Sequence, residues 1–400
     1  MKQKPLISII VLSYKNYRYI YEALDSVLYQ DYPNIELIIT NDGSNDFNKT
    51  AIDQYLKKNK KQNIKNVVIN NNEKNIGTVK NCNKAIKLSK GNYITIFAAD
   101  DALYNNKVIT KLMDSFDTLS EKELIVTSQT NMCDVNLKKL IQPFISETNK
   151  EKIKKLTPKE LFAEMATKCI LPGSGTCYKK EIFKKYGYFD EKYLLVEDYS
   201  SALKLSRLGV RYNYFDFVSI KHRDGGVSHG NINGGSQTSK RYDLDILNIM
   251  KNEVLPFIDL LDTKQKKEFL KKYQNDKFKF EYKYSFENGT KLQKRQFVKK
   301  NLSTIILIFS GDFITDSFDQ LKGKKIKLFL FGILIFTFYC FYNDYIKGLE
   351  TILSTPISVD LIKIIGMFGL FLILLSILLL TSNFIKKFLF RIFKFIKFII

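Results

Sequence analysis

The sequence predicts an α/β fold with a mostly parallel, doubly wound sheet. In the first hundred residues, continuous runs of Ile, Leu and Val alternate with segments of helical apolar spacing, and short turns separate them. Apolar runs without polar alternation are typical of strands buried on both faces. Because short loops between alternating strands and helices favour parallel pairing, we expect helices on both faces of one sheet.

Strand and helix signals follow one another in a regular order along the chain. Strands are predicted over residues 6–12, 35–40, 66–70 and 92–97, and helices over 19–29, 49–60 and 78–88. The mixed character continues to residue 220, with strands predicted over 124–128, 175–178 and 215–220 and helices over 158–167 and 199–208. These elements predict one α/β domain over residues 1–240.

The composition changes after this domain. Residues 224–240 are rich in Gly, Ser and Asn, which predicts a loop that closes over a bound ligand and excludes water. Residues 241–325 combine helical spacing with many lysines, and they are predicted to form a basic helical connector. Residues 326–400 are strongly apolar, and they are predicted to anchor the chain in a membrane.

The predicted anchor contains two transmembrane helices, over residues 326–342 and 361–380, followed by a basic amphipathic tail. A span of about 30 Å of hydrocarbon needs about 20 helical residues, so the second segment is long enough and the first is at the lower limit. Basic residues flank the pair outside both spans, which places both flanks in the cytoplasm. A buried helical hairpin in a soluble domain is the alternative. The flanking residues are Lys322, Lys324 and Lys325 on one side and Lys386, Lys387 and Arg391 on the other.

The formal net charge of +22 favours a polyanionic partner, which is a nucleic acid, a phosphorylated small molecule or the anionic leaflet of a membrane. Lys and Asn are common throughout, so compositional drift is a further explanation of the charge. A nearby membrane surface explains the basic stretch over residues 251–300 more simply than RNA or DNA does. We therefore expect no nucleic-acid partner.

The five cysteines are odd in number and widely spaced, so they match neither a zinc site nor a disulfide framework. The N-terminus runs directly into the first predicted strand and has no apolar stretch of signal-peptide type. The α/β domain is therefore expected in the reducing cytoplasm, on the inner face of the cell membrane.

Polar motifs follow several of the predicted strands, where ligands of an open parallel sheet bind. They are SYKN at residues 13–16, NDGSND at residues 41–46 and the pair Asp100–Asp101. Adjacent carboxylates repel each other, and a cation between them removes the repulsion. Oxygen ligands favour Mg²⁺ or Mn²⁺, which neutralise the charge that develops on a diphosphate leaving group. Alone, Asp-Asp is also explained as a helix cap and NDGS as an ordinary turn.

The order and spacing of these motifs carry more information than each motif alone. The runs PLISIIVLSYKN, NIELIITNDGSND and NIGTVKNCNKAIKLSKGNYITIFAADD together closely resemble family 2 of the glycosyltransferases, of the kind that builds bacterial cell-surface polysaccharides. The resemblance covers about residues 5–225 and implies the GT-A fold, a nucleotide-sugar donor and a divalent cation, Mg²⁺ or Mn²⁺.

The resemblance also implies which residues bind the donor. Ser13 and Tyr14, in the SYKN turn, would border the nucleotide base, and Asp42 would accept a hydrogen bond from a uracil-like edge. Lys80 lies where the family often has a basic residue near the donor, although this match is loose. The sequence departs from the family at Asn41, where many members have a second acidic residue.

The pair Asp100–Asp101 corresponds to the DXD motif of the family. The resemblance implies that Asp100 contacts the ribose and that Asp101 coordinates the metal. His222 and Arg223 follow the predicted strand 215–220, where they would complete the metal shell or bind the diphosphate. We expect His222 on the metal and Arg223 on the donor. The alternative is that both are simply polar residues at the end of a strand and bind neither the metal nor the donor.

A second pair of carboxylates, Glu197 and Asp198, follows the GSG sequence at residues 173–175 and also matches the family. The resemblance implies that Asp198 is the general base that deprotonates the acceptor hydroxyl, with Glu197 as the alternative. A carboxylate at a helix N-terminus is expected to stay ionised, as a base must be. The alternative explanation is that Asp198 only caps the helix predicted over 199–208.

Together these features predict an inverting glycosyltransferase that moves a sugar from a nucleotide diphosphate donor to a hydroxyl of a lipid-linked glycan, with UDP-linked sugars as the first choice of donor. One alternative is a polyprenyl-phosphate glycosyltransferase, whose phosphate acceptor needs little general base. The other is a non-catalytic, sugar-binding scaffold, against which the presence of all four aspartates argues. A homo-oligomer is compatible with the sequence. These aspartates are Asp42, Asp100, Asp101 and Asp198.

Overall fold

The computed structural model describes residues 4–225 and 240–285, together with residues 290, 293, 296 and 297. The strands are β1 (Ile7–Ser13), β2 (Ile35–Asn41), β3 (Ile64–Asn71), β4 (Tyr93–Ala98), β5 (Ala102–Leu103), β6 (Ile125–Cys133), β7 (Leu140–Pro143), β8 (Thr176–Lys179) and β9 (Asn213–Arg223). The helices are α1 (Ile20–Leu28), α2 (Lys49–Asn59), α3 (Thr78–Leu88), α4 (Val108–Asp117), α5 (Glu147–Lys155), α6 (Pro158–Met165), α7 (Glu181–Tyr186), α8 (Asp198–Arg207), α9 (Lys240–Ile249) and α10 (Thr263–Ser285).

One sheet organises these elements, with the strand order β3-β2-β1-β4-β8-β6-β9-β5 and β7 beside β6. The pairs from β3 to β4 are parallel, and so is the pair β6–β9. The remaining pairs are antiparallel. The prediction of a mostly parallel sheet is therefore correct for the N-terminal strands and the β6–β9 pair, and wrong for the other pairs. Beyond β4 the strands no longer alternate with single helices in the short βα units that impose the parallel direction.

Helices cover both faces of the sheet, as the alternation of elements predicts. Successive side chains of β1 point to opposite faces, so Ile9 joins one core cluster and Ile10 joins the other. Apolar residues of α1, α2 and α4 share the first cluster, and those of α3, α6 and α8 share the second. The sheet is thus buried on both sides, which explains the continuous apolar runs of its central strands.

Most predicted elements are present, with small shifts at their ends. Helix α3 has the predicted bounds, whereas β9 continues to Arg223 instead of ending at residue 220. His222 and Arg223 therefore belong to the strand and do not follow it, because β9 pairs with β6 as far as Cys133. Five elements were not predicted, although the helical apolar spacing of α4 was visible in the sequence. They are β5, β7, α4, α5 and α7.

The predicted boundary at residue 240 does not separate two cores. Ile249, Met250 and Phe269 are fully buried in the same apolar cluster as residues of α8. The segment from α9 to α10 therefore completes the α/β domain, at least as far as the described residues extend. The many lysines of this segment make it look like a separate connector in the sequence. An amphipathic helix needs only one apolar face to pack against a core, so the lysines do not prevent this packing.

Within the described residues, no helix has both the length and the apolar character that are needed to cross a membrane. The predicted spans 326–342 and 361–380 and the basic tail lie outside these residues. The same holds for most of the predicted ligand-closing loop, since residues 226–239 are not described.

A buried glutamate on β2, Glu36, links β1, β3 and the turn before β4. Its carboxylate accepts hydrogen bonds from Ser8 Oγ (2.5 Å), the Lys90 N–H (2.7 Å) and Asn66 Nδ2 (2.8 Å). Burial alone would raise the pKa of Glu36, but the hydrogen bonds outweigh burial and hold the pKa below its usual value. Because the folded pKa is depressed, the ionised group stabilises the fold above its unfolded pKa, and this stabilisation is lost as the pH falls.

We expect Glu36→Gln to lower the free energy of unfolding by about 1.5–3 kcal/mol at neutral pH, because an amide nitrogen would face the Lys90 N–H. The loss should shrink as the pH falls below the usual pKa of an unfolded glutamate, because the ionised parent carboxylate then contributes less stability. Thermal unfolding of the full chain at pH 7 and at a pH below that pKa measures both effects. Asp53→Asn, which removes a surface ion pair with Lys57, is the control and should change little. Equal melting temperatures of parent and Glu36→Gln at pH 7 would contradict the assignment.

Candidate functional site

The predicted site residues lie at one edge of the sheet. Strands β1, β2 and β4 are parallel, so Ser13, Asp42 and Asp100 follow strands that end on the same side. Strand β9 has the same direction, because β8 is antiparallel to both β4 and β6 and β6 is parallel to β9. His222, near the end of β9, therefore lies at this edge too. The tertiary structure brings together motifs from both halves of the domain.

The end of β1 presents an aromatic ring and an asparagine. Tyr14 is 42% exposed, whereas Ser13 is buried and its hydroxyl donates to Asn16 Oδ1 at 3.1 Å. Asn16 Nδ2 in turn donates to Asp100 Oδ1 at 3.1 Å, which joins the ends of β1 and β4. Tyr14 is thus placed where a planar base can stack on it, while Ser13 faces inward. Asn16 is a site residue that the sequence prediction omitted, although it belongs to the SYKN motif.

Asp42, at the end of β2, is buried and holds the loop before α3. Its carboxylate accepts the N–H groups of Ile76 and Gly77, each at 2.9 Å, and it also accepts Asn72 Nδ2 at 3.2 Å. Each carboxylate oxygen has two acceptor sites, so these bonds leave room for a further donor. Through these hydrogen bonds, Asp42 determines the shape of the loop 72–77.

A lysine other than the predicted one belongs to this polar region. Lys80 is exposed on α3, whereas Lys84 Nζ donates to Asn72 Oδ1 at 2.7 Å. Asn81 Oδ1 accepts both Asn72 Nδ2 (3.0 Å) and Thr40 Oγ1 (2.6 Å). The result is a buried network between β2, β3 and α3. Asparagines are common in turns and on surfaces, so the sequence offered no signal for a buried network.

The Asp100–Asp101 turn meets the end of β9. Asp101 is only 2% exposed, and its Oδ2 lies 2.9 Å from His222 Nδ1. Its Oδ1 accepts the Arg223 N–H at 3.0 Å. The structure thus joins Asp101 and His222 directly, although 121 positions separate them in the sequence.

The electrostatics of this turn suit a divalent cation. Burial and the neighbouring Asp101 raise the pKa of Asp100. Burial lowers the pKa of His222, but the attraction of Asp101 outweighs it and raises that pKa to about 9. Both shifts show an excess of negative charge that a cation would offset. No group of three or more His, Cys, Asp or Glu side chains in the described part of the chain forms a metal cage.

Arg223 is not positioned to bind a diphosphate directly, which differs from the prediction. It is 4% exposed, and its guanidinium lies 3.9 Å from the centre of the Tyr19 ring. Nε donates to the Asp100 carbonyl at 2.7 Å, and Nη2 donates to Glu22 Oε2 at 2.5 Å. The guanidinium therefore holds the Asp100–Asp101 turn in place, since its donors are already used by the protein.

Asp198 is the first residue of α8, and its Oδ1 accepts the Tyr199 N–H at 2.7 Å. A Cβ atom added at Gly173 would lie 2.4 Å from Asp198 Oδ2. Gly173, which precedes β8 at the site edge of the sheet, therefore leaves the space that the Asp198 carboxylate occupies. This glycine was quoted in the GSG motif, but only the structure shows its contact with Asp198.

The environment of Asp198 differs from the one that its sequence position suggests. A helix N-terminus favours the ionised carboxylate, yet burial outweighs this and raises the pKa of Asp198. The pKa of Glu197 is also raised, by burial first and by the adjacent Asp198 second. The helix terminus therefore does not set the pKa of Asp198 alone, because burial acts in the opposite direction. A carboxylate with a raised pKa is a stronger base, which suits general base catalysis near neutral pH.

Comparison with known proteins shows what this chain is similar to. The family model described as glycosyl transferase family 2 matches residues 8–187. An uncharacterized glycosyltransferase of Rickettsia typhi is 32% identical over 227 residues, which cover 56% of this chain and 66% of that protein. An uncharacterized glycosyltransferase of Haemophilus influenzae is 27% identical over 257 residues, which cover 61% of this chain and 70% of that protein.

Among solved structures, residues 1–349 of Staphylococcus aureus TarS in complex with UDP-GlcNAc are similar to this chain. The sequence identity is 20% and the TM-score is 0.47, with 76% of this chain and 81% of that chain covered. The chain spans slightly less than two thirds of the length of the Rickettsia relative.

Proposed function

Because residues 8–187 match the family model of glycosyl transferase family 2, we propose that the chain transfers a sugar from a nucleotide diphosphate donor to an acceptor hydroxyl. The observation that carries this proposal is the convergence at one sheet edge of Asp42, the Asp100–Asp101 turn and His222. A base-binding end, a cation-binding turn and a separate pair of half-buried carboxylates are the parts that such a transfer needs. UDP-linked sugars are the first donor class to test.

Each part of the site has a role in this reaction. Tyr14 stacks on the nucleotide base, Asp42 accepts a hydrogen bond from the edge of that base, and Asp100 binds the ribose. Asp101 and His222 would hold Mg²⁺ or Mn²⁺, which would neutralise negative charge on the diphosphate. Lys80 stays a loose prediction for the donor region.

Asp198 performs the proton transfer. It accepts the proton of the acceptor hydroxyl while that oxygen attacks the anomeric carbon and the nucleoside diphosphate leaves, so one displacement inverts the anomeric centre. The raised pKa of Asp198 supports this role, since a stronger base takes the proton more readily. The contact with Gly173 restricts where the carboxylate can lie.

The acceptor that we propose is a lipid-linked glycan of cell-surface polysaccharide synthesis. This rests on the apolar segments 326–342 and 361–380, which predict a membrane anchor with the catalytic domain on the cytoplasmic side. A polyprenyl phosphate is the second candidate acceptor, because an anchored enzyme would meet it on the same surface. The half-buried, paired carboxylates at the start of α8 favour the hydroxyl acceptor, since a phosphate needs little base.

Transfer assays on the full chain in native membranes test this proposal. A panel of UDP-, GDP- and TDP-linked sugars is offered with Mg²⁺ or Mn²⁺, and lipid extracts are analysed by mass spectrometry. We expect one donor to add a single sugar to a lipid-linked glycan. A product on polyprenyl phosphate itself would identify the second acceptor. Donor binding without transfer to any acceptor, under conditions that preserve the fold, would favour a sugar-binding scaffold.

The proposed membrane topology makes a separate prediction. Only about residues 343–360 should lie outside the cell, because the basic flanks stay in the cytoplasm. In intact cells, a membrane-impermeant maleimide should therefore label Lys347→Cys but not Leu389→Cys, and the parent chain corrects for its native cysteines. Release of the whole chain by carbonate without detergent would instead support a buried helical hairpin.

A further inference from the structure

We propose that Asp245, on α9, is a positioning residue that holds the segment carrying Glu197 and Asp198 in its reactive place. Asp245 is 4% exposed, and its Oδ2 accepts two backbone N–H groups, from Leu194 at 2.9 Å and from Leu195 at 2.7 Å. The inference rests on the proposed function, because it gives Asp198 the role of base. It adds a residue that lies beyond the region resembling the family.

The segment that Asp245 holds has no regular structure of its own. Residues 187–197, between α7 and α8, form neither helix nor strand. The N–H groups of such a segment need partners when they are buried, and Leu194 and Leu195 find theirs in one carboxylate. A charged acceptor binds backbone N–H groups more strongly than a neutral one does. Asp245 thus determines the path of the chain three residues before the catalytic pair.

The opposite side of the same segment is held by the start of α3. The Leu194 carbonyl accepts the Val79 N–H at 3.2 Å. A Cβ atom added at Gly77 would lie 2.4 Å from Leu194 Cδ1, so the leucine side chain packs directly against this glycine. Gly77 also donates its N–H to Asp42. Leu194 is therefore fixed between the donor-side loop and α9.

A second acidic residue, Glu253, also holds this segment, and it follows α9 in the chain. Glu253 Oε1 accepts Lys192 Nζ at 2.7 Å and the Tyr193 hydroxyl at 2.9 Å. Four consecutive residues, 192–195, are thus bound by two carboxylates that come from a part of the chain predicted to be a connector. The charge of Asp245 also acts on the catalytic pair, since it contributes, after burial and Asp198, to the raised pKa of Glu197.

Two substitutions separate the hydrogen bonds of Asp245 from its charge. Asp245→Ala removes the acceptor, whereas Asp245→Asn keeps an oxygen that can accept the same N–H groups. Asp243→Ala is the matched control, because Asp243 lies on the same helix and its carboxylate binds Lys283 and Tyr284 instead. Each variant is prepared as the full chain in native membranes, and rates are expressed per folded molecule.

We expect Asp245→Ala to lower kcat by about 10–100-fold with the KM for the donor nearly unchanged, because a displaced catalytic group loses orientation while the donor site stays intact. Asp245→Asn should recover most of kcat. Asp245→Asn should also lower the pKa of Glu197, because the negative charge that helps to raise that pKa is gone. Asp243→Ala should behave like the parent.

Amide hydrogen exchange at Leu194 and Leu195 provides a readout that does not depend on activity. Exchange there should accelerate in Asp245→Ala and stay slow in Asp243→Ala. A parental kcat in Asp245→Ala would overturn the proposal, and so would an equal loss of kcat in both alanine variants. If the parent chain transfers no sugar to any acceptor, the proposed function fails. The exchange rates then decide whether Asp245 holds the segment. Unchanged exchange in Asp245→Ala would overturn the positioning role as well.

Discussion

Asp101→Asn should lower the rate of sugar transfer by at least about 100-fold, because a divalent cation contributes several kcal/mol to the stabilisation of developing charge and each 1.36 kcal/mol is a factor of ten. The amide keeps an oxygen that can accept the Arg223 N–H, so the turn should survive. What is lost is the negative charge that faces His222 at 2.9 Å. The measurement is the rate of transfer by parent and variant across a range of Mg²⁺ and Mn²⁺ concentrations.

Removal of the cation should reproduce this effect in the parent protein. A chelator in excess should abolish transfer, and added Mg²⁺ or Mn²⁺ should restore it. Asp114→Asn is the matched control, because Asp114 is an exposed residue of α4 whose carboxylate pairs with Lys4. It should keep parental activity and cation dependence. Full transfer by the parent in excess chelator would show that the Asp101–His222 pair does not serve a metal.

Asp198→Asn should lower turnover by about 10²–10⁴-fold, which is the usual contribution of general base catalysis. The amide keeps an oxygen that can accept the Tyr199 N–H, so the start of α8 should remain intact. The dissociation constant of the donor should change little, because the donor contacts lie at the ends of β1, β2 and β4. Turnover and donor binding are therefore measured on the same preparations.

The pattern of results identifies the base and the acceptor. A larger loss in Glu197→Gln than in Asp198→Asn would assign the base to Glu197. Near-normal turnover in both variants would favour a phosphate acceptor, and a large loss of donor affinity would assign Asp198 to the donor site. In the parent, the rate should rise with pH above the usual range of a carboxylate, because burial raises the pKa of Asp198 and only the ionised form accepts a proton.

Gly173→Ala tests the same assignment without changing any polar group. The added methyl group would fall 2.4 Å from Asp198 Oδ2, so the flexible carboxylate must rotate away. Gly173 does not have a positive φ, so the change imposes no backbone strain there. We therefore expect a large loss of turnover with a melting temperature close to that of the parent. Parental turnover would show that the position of this carboxylate does not matter.

Local patterns were sufficient to predict the N-terminal half of the fold. Helix α3 was predicted at its observed bounds, and β1, β2 and β4 within one residue at each end. Buried parallel strands need continuous apolar residues, and helices need apolar spacing on one face, so both leave a signal in consecutive residues. The same signal failed at the end of β9, where Lys221, His222 and Arg223 are polar but pair with β6.

The chemistry of the site was also partly visible in the sequence. A carboxylate pair after a buried strand predicts a cation site, because the carboxyl ends of parallel strands meet at one edge. The structure keeps Tyr14, Asp42, Asp100, Asp101 and His222 at that edge. Arg223 could not be assigned in this way, since only its surroundings show that its guanidinium is already bound by Tyr19 and Glu22.

By itself, the sequence determined the parallel half of the sheet, the helices beside it and the motifs at the strand ends. The tertiary structure alone decided that Asp101 meets His222, that Gly173 leaves space for Asp198 and that Asp245 binds Leu194 and Leu195. Periodicity records which residues face a core, because burial repeats at the spacing of each element. Contacts between distant segments have no such spacing, so their geometry and the pKa shifts that follow from burial exist only in the folded chain.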